Sequence, residues 1–332
     1  MTRLKDLGEF ELIDLIAHHL PDSSGRLLQG IGDDCAVIDA GGDIATLVTV
    51  DTMVEGVHFD LRTSTPEGLG AKLLAVNLSD IAAMGGGPHE AFLAISAPAD
   101  SEADVIERLA GGLQANCTRF GVQLAGGDTT STKGPLVLSL TLLGSCPRDQ
   151  VVYRSGAQPG DSVFVTGTPG DSAAGLLLSQ TSGFGGSHRT QLLRRHHRPE
   201  PRIEIGRALA SGNLATAMVD ISDGLGADLQ HVCRRSGVDM VVDPALLPIS
   251  DALKAFCEDR KLNPTDFALT GGEDYELGFT AKNRDLSLDL ARECRLTYIG
   301  EVVRGSGVVR IGSKNESEVY DKNGFDHFSL RL

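Results

Sequence analysis

The chain has 332 residues, 41% of them hydrophobic, which is enough for about two domains, each with its own buried core. Asp and Glu number 45 against 30 Lys and Arg, a net charge of −15; a chain this acidic is a poor general binder of nucleic acid or anionic membrane, and any phosphate compound it handles needs cations to reverse the local sign. The six cysteines are scattered without a C-x-x-C pair, the N-terminal segment has no apolar signal core, and no apolar stretch is long enough to span a bilayer, so a reduced, soluble, cytoplasmic protein is expected.

Glu9 to Leu20 reads as a short amphipathic helix with Leu12, Ile13, Leu15 and Ile16 turned inward. Residues 36 to 38 and 44 to 50 are apolar enough for buried strands, separated by Gly41-Gly42. A helix capped by Thr65 runs from Pro66 to Met84 and stops at Gly85-Gly86-Gly87. On it Leu73, Asn77, Asp80 and Met84 share one face, so Asp80 must meet either a cation or a donor network. Ala91 to Ala97 is strand-like. Ser101 to Phe120 is a helix with a Ser-x-x-Asp capping box, inward Val105, Leu109, Leu113 and Cys117, and a stop at Gly121. Leu136 to Leu142 alternates, with four leucines on one strand face.

Gly144 to Gly160, rich in Gly, Pro and Arg, is the best boundary, dividing the chain into domains 1–148 and 149–332. Ser162 to Thr166 is a strand leading through Gly167-Thr168-Pro169-Gly170-Asp171-Ser172 into an apolar helix. Residues 181 to 190 look mobile, and Arg194 to Arg202 reads as a Pro-interrupted basic loop. A helix begins at Ser222 or Asp223 with Leu225, Leu229 and Val232 inward; Val238 to Val242, Tyr275 to Thr280 and a hairpin around Gly305-Ser306-Gly307 add strands. Alternating strands and helices in the first half suggest an α/β layer with mixed or antiparallel pairing.

The chemistry is concentrated in short acidic segments. Ile31-Gly32-Asp33-Asp34 is echoed by Val50-Asp51-Thr52, Leu78-Ser79-Asp80, Gly126-Gly127-Asp128, Asp220-Ile221-Ser222-Asp223 and Gly272-Glu273-Asp274. Singly, each is ordinary turn or cap chemistry. Together, at the ends of apolar elements, they favour a cluster of hard oxygen ligands for Mg²⁺ or Ca²⁺. The P-loop, the G-x-G-x-x-G fingerprint and the kinase His-Arg-Asp and Asp-Phe-Gly pairs are all missing. Gly126-Gly127-Asp128 offers close backbone approach to an anion plus a metal ligand, and Asp220 and Asp223 stand one turn apart at a helix start. Thr168 to Gly175 is either a phosphate cradle or a plain helix entry. Arg154 is a phosphate partner or a solvated linker residue; His58 and Glu273 are ligand contacts or surface groups. No Ser/His/Asp or Cys/His nucleophile arrangement stands out.

The stretches GEFELI (8 to 13), GIGDDCAVI (30 to 38), VDTMVEGVHF (50 to 59), AVNLSDIAAMG (75 to 85), LAGGDTT (124 to 130), RSGAQPGD (154 to 161), VTGTPGDSAAGL (165 to 176), DISDGL (220 to 225), LTGGEDYEL (269 to 277) and GFDHF (324 to 328) occur in fixed order over nearly the whole chain. In these the sequence resembles the thiamine-monophosphate kinase family of the aminoimidazole-ribonucleotide-synthetase-like superfamily. The resemblance implies an α/β (α+β) fold of two domains, an N-terminal mixed or antiparallel sheet that joins that of its mate in a homodimer, and a C-terminal α/β domain completing the site. It implies ATP-dependent phosphorylation of thiamine monophosphate to thiamine diphosphate, with ATP as co-substrate and several Mg²⁺ ions. Carried over by position, Asp34, Thr49, Asp51, Asp80, Asp128, Asp220 and Asp223 would hold Mg²⁺. Gly127, Asp128, Arg154 and Ser222 would contact ATP, and His58, Glu273 and Phe325 the thiamine phosphate.

Two departures stand out. Val50 occupies a position where many relatives have a hydroxyl, leaving only its carbonyl for a metal, and Phe325 stands where Trp or Tyr is frequent, so that stacking survives without a side-chain hydrogen bond. No catalytic base or nucleophile is expected, because phosphoryl transfer needs mainly alignment and charge neutralisation. Alternatives are a synthetase of the same superfamily, a non-catalytic nucleotide- or Ca²⁺-binding module, and a metal-dependent phosphatase.

Overall fold

A computed structural model describes the chain except for residues 1–3, 5–6, 21–24, 287–293, 314, 323 and 326–332. The first half builds a six-stranded sheet in the order β1-β2-β3-β6-β4-β5, from Leu27–Gln29, Ala36–Asp39, Ile44–Val54, Val137–Pro147, Gly87–Pro98 and Gln123–Thr132 respectively. All its pairings are antiparallel except β4 with β5. Alternate residues of β6 are buried, Leu138, Leu140 and Leu142 among them, as its period of two requires. These leucines meet α2 (Pro66–Ala83), beyond which lies α3 (Ala103–Phe120). Two glycines permit the close crossing of α2 and α3. A Cβ on Gly70 would fall 2.0 Å from the Leu109 carbonyl oxygen, and one on Gly112 2.0 Å from that of Glu67. The opposite sheet face is open, exposing Val50, Phe92 and Leu124.

The second half builds a seven-stranded sheet in the order β13-β12-β9-β11-β7-β10-β8, from Glu316–Val319, Val309–Ser313, Val238–Val242, Leu296–Arg304, Ser162–Thr166, Leu277–Ala281 and Ala215–Asp220. Strands β7, β9 and β10 are buried at every position, as continuous apolar runs covered on both faces should be. One face packs on α7 (Leu225–Ser236) through Leu225, Leu229 and Val232. From the other, Phe164, Met218 and Phe279 join the core of the first half, alongside α6 (Ile203–Ser211). α4 (Asp171–Gln180), α5 (Gly186–His197) and α8 (Asp251–Arg260) form a satellite core around Phe256, flanked by α9 (Pro264–Thr270). Helix α2 therefore lies between both sheets, which explains why almost its whole length is buried.

Several expectations are corrected. The N-terminal helix α1 (Glu9–Ala17) stops three residues early, and Leu15 and Ile16 are half exposed rather than inward, because α1 lies beside an open cleft. The side chain of Ser101 makes no cap; α3 begins at Ala103 without one. Gly186 to Thr190 are helical, as are Arg194 to His197, because Leu192 and His196 give α5 a buried stripe. α7 starts at Leu225, not at Ser222 or Asp223. β11 and β12 do not form a hairpin: β9 lies between them, and Asp239 on β9 takes the N–H groups of Ser306, Gly307 and Val308 at 2.8, 3.1 and 3.0 Å. Among the described residues no helix is long and apolar enough to cross a membrane.

Candidate active site

Strand β2 pairs with only Ala45–Val48 of β3, so Thr49–Val54 has an open edge on that side, and a cleft of about 1830 Å³ opens there. A cleft this size has room for two small-molecule substrates. Three elements bring carboxylates together here, Asp80 and Asp220 lining the cleft and Asp34 buried against them. Asp34 comes from the glycine turn after β1, Asp80 from α2 and Asp220 from the last residue of β8. One oxygen from each lies within 4.8 Å of the others. Ser79 Oγ donates to Asp220 at 2.7 Å, and Thr49 Oγ1 donates to Asp80. Arg154 donates to Asp34 Oδ1 at 2.5 and 3.1 Å, and its backbone N–H bonds the Asp33 carboxylate. Arg154, between β6 and β7, thus ties back to the turn that carries Asp33 and Asp34.

The electrostatics are unfavourable without a counter-ion. Burial, then the neighbouring carboxylates, pushes Asp80 and Asp220 well above the ordinary carboxylate range. Burial takes Asp51 to about 6, and burial with the adjacent Asp34 takes Asp33 to about 7. Asp34 Oδ2 is buried without a hydrogen-bond partner. An orphaned oxygen amid converging hard donors fits a divalent cation such as Mg²⁺.

The remaining expected residues divide. His58, Ser222, Asp223, Glu273 and Phe325 all line the cleft. His58 Nδ1 accepts the Val54 N–H at 3.0 Å, which leaves the ring proton on Nε2. The Phe325 N–H donates to the Asp223 carbonyl at 3.2 Å, and the residue is 51% exposed; the rest of the GFDHF motif, residues 326–328, lies outside the described residues. Asp220 and Asp223 do not cap the helix. No side chain caps α7; Asp228, a residue the sequence reading missed, instead holds the turn before it, its Oδ2 taking the N–H groups of Ser222, Asp223 and Gly224 at 3.1, 3.2 and 3.0 Å. Its signal was an acid in the first turn of an amphipathic helix. The Thr168 to Gly175 cradle is also filled from within: Asp274 takes the N–H groups of Gly170 and Ser172 at 2.6 and 3.1 Å.

Gly127 and Asp128 are not brought to the cluster within one chain. On β5, Asp128 pairs with Ala94, which pairs with Ser139, which pairs with Thr52. Three strand spacings of ~4.8 Å put it about 14 Å from Thr52. Paired residues share a sheet face, so Asp128 projects from the open face, whereas Thr49 and Asp80 meet on the α2 side. Gly127, at φ +155°, needs to be glycine for the strand alone, because a Cβ would fall 1.7 Å from the Leu93 carbonyl oxygen.

Residues 32–146 match the family model for the N-terminal domain of AIR synthase related proteins, and residues 158–312 match that for the C-terminal domain. Thiamine-monophosphate kinase of Bacillus subtilis (strain 168) is 37% identical over 97% of this chain and 100% of its own length. That of Escherichia coli (strain K12) is 41% identical over 97% and 98%. The chain belongs to the thiamine-monophosphate kinase family. Among solved structures, AaThiL complexed with AMPPCP and TMP superposes with a TM-score of 0.87 at 38% identity, covering 98% of this chain and 99% of that one. Within this kinase family the two matched segments coincide with the two sheets: 32–146 holds β2 to β6, and 158–312 holds β7 to most of β12.

The raised carboxyls make a stability prediction. Without divalent ions the folded protein holds protons on Asp33 and Asp51 that the unfolded chain, at the ordinary 3.8, has released. Their contribution is full below about pH 4 and is lost as pH rises through about 6 to 7. The melting temperature of the metal-free protein should therefore fall between about pH 5 and pH 8, with Mg²⁺ restoring it mainly at the higher pH. Equal Mg²⁺ effects at both values in scanning calorimetry would argue against the cluster as a metal site.

Proposed function

We propose that the protein transfers the terminal phosphoryl group of ATP to the phosphate of thiamine monophosphate, forming thiamine diphosphate in the cleft between the halves 1–148 and 149–332. The observation that carries this reading is the convergence of Asp34, Asp80 and Asp220 from three remote segments on one buried point, one oxygen of which has no partner. Mg²⁺ held by Asp34, Thr49, Asp51, Asp80, Asp220 and Asp223 would supply charge neutralisation between two polyanions. Arg154 and Ser222, which both line the cleft, contact the nucleotide. His58, Glu273 and Phe325 receive the thiamine phosphate, the Phe325 ring by stacking. The attacking oxygen belongs to a phosphate monoester whose second pKa is near 6, so it is largely deprotonated at neutral pH. No side chain needs to take its proton. Transfer is direct and in line.

The open face of the first sheet and its bare edge strand β5 support a homodimer in which the N-terminal sheets join. Gly127 and Asp128 then reach a cluster through the partner copy. The six free, buried cysteines suit the cytoplasm.

The test is to mix protein, Mg²⁺, ATP and thiamine monophosphate and follow product by mass. Thiamine diphosphate with stoichiometric ADP is expected. Phosphate release without the diphosphate, or a phosphorylated enzyme trapped after a pulse of labelled ATP, would overturn the reading.

A further inference from the structure

A buried lysine is costly unless it is paired. Lys72, on α2, exposes 5% of its side chain, and its ammonium lies 2.6 Å from Glu273 Oε1. Glu273 is 27% exposed and lines the cleft. Its other oxygen is 3.4 Å from His196 Nδ1, a ring that burial and the nearby Lys72 keep neutral. Lys72 is thus the charge matched to Glu273.

The turn that carries Glu273 is anchored residue by residue. Glu273 and Tyr275 both have positive φ, +62° and +52°, a conformation that is strained for a residue with a side chain. Their N–H groups bond the Ser222 and Ile221 carbonyls at 2.7 and 2.8 Å, which holds the strained backbone in place. Asp274 is tied to the start of α4, and Glu276 to Arg195 and Arg202. Those bonds fix the backbone of Glu273 but leave its three side-chain torsions open. Lys72 fixes them.

We propose that Lys72 is a positioning residue, which holds the Glu273 carboxylate in the orientation that receives the cationic heteroaromatic part of the phosphate acceptor. This rests on the reading that Glu273 faces that acceptor. Lys72 and Asp80 are eight residues apart on one rigid helix, about 12 Å along its axis. Helix α2 would then act as a ruler, setting the distance from the transfer point at the carboxylate cluster to the ring-binding end, and so selecting acceptors of matching length.

The test is a double-mutant cycle read as KM for each substrate. Lys72→Met and Glu273→Gln should each raise the KM for thiamine monophosphate about 10-fold or more, leave the KM for ATP unchanged, and alter kcat little. Lys72→Arg should recover part of the loss. The double variant, in which no buried charge is left unpaired, should be no worse than Glu273→Gln alone, and it also serves if Lys72→Met folds poorly. If Glu273→Gln leaves the acceptor KM unchanged, the reading of Glu273 fails. If Glu273→Gln raises it while Lys72→Met does not, or the two losses add, the positioning role fails and Lys72 is only a staple between elements.

Discussion

Asp220→Asn should lower kcat by about 10³-fold or more, roughly 4 kcal/mol of transition-state stabilisation, and at the same time raise the melting temperature of the metal-free protein. Both effects come from one geometry. Asp220 is 3% exposed and sits among Asp34, Asp51 and Asp80, with burial the largest cause of its raised pKa and Asp34 the next. Removing its charge relieves repulsion that the Ser79 hydroxyl and Arg154 offset only in part. Asn keeps an oxygen able to accept the 2.7 Å bond from Ser79, so local packing survives. It does not keep the charge that neutralises a cation between two phosphates. The variant should accordingly lose most of the stabilisation that Mg²⁺ gives the parent. A variant that is less stable without metal, or retains more than about a tenth of the turnover, would mean that Asp220 serves structure and not transfer. Stability and activity moving in opposite directions is the signature of a site under electrostatic strain.

Local pattern placed two members of the acidic cluster, Asp34 just before the apolar run of β2 and Asp80 on the inward face of α2, whereas β8, the strand that ends on Asp220, was not read from the sequence. It carried α2 almost to the residue and placed the start of β6, since Thr65-Pro66 and the alternating leucines are local signals, but β6 runs on to Pro147, into the stretch read as the boundary. What it could not carry was non-local. Lys72 sits in a stretch that reads as helix with a stray charge; only the return of residues 271–276 from the far half of the chain supplies its partner. Asp228 reads as the polar side of α7, and its three amide contacts depend on a turn with glycine at φ +126°. The hairpin around Gly305 failed for the same reason, because whether a strand returns beside its predecessor or crosses over a third is decided by the sheet.

Asp128→Asn should also abolish turnover without disturbing the fold, because its side chain is exposed on edge strand β5 and makes no contact that the core requires. The informative measurement is complementation. Within one chain Asp128 stands about 14 Å from Thr52 on the open sheet face, too far to share an ion that carboxylate oxygens bind at roughly 2.0–2.6 Å. If the open faces of two copies close on one another, each cluster takes Asp128 from its partner. Inactive Asp128→Asn and inactive Asp220→Asn proteins, mixed and allowed to exchange subunits, would then form hybrids in which one of the two sites has every carboxylate. Random pairing makes half the dimers hybrid, so about a quarter of parental activity should return. Were Asp128 to act on its own chain's cluster, both sites of every hybrid would lack a ligand and nothing would return. Recovery that tracks the hybrid fraction would thus give both the dimer and the direction in which the aspartate reaches; no recovery despite demonstrated exchange would overturn delivery by the partner.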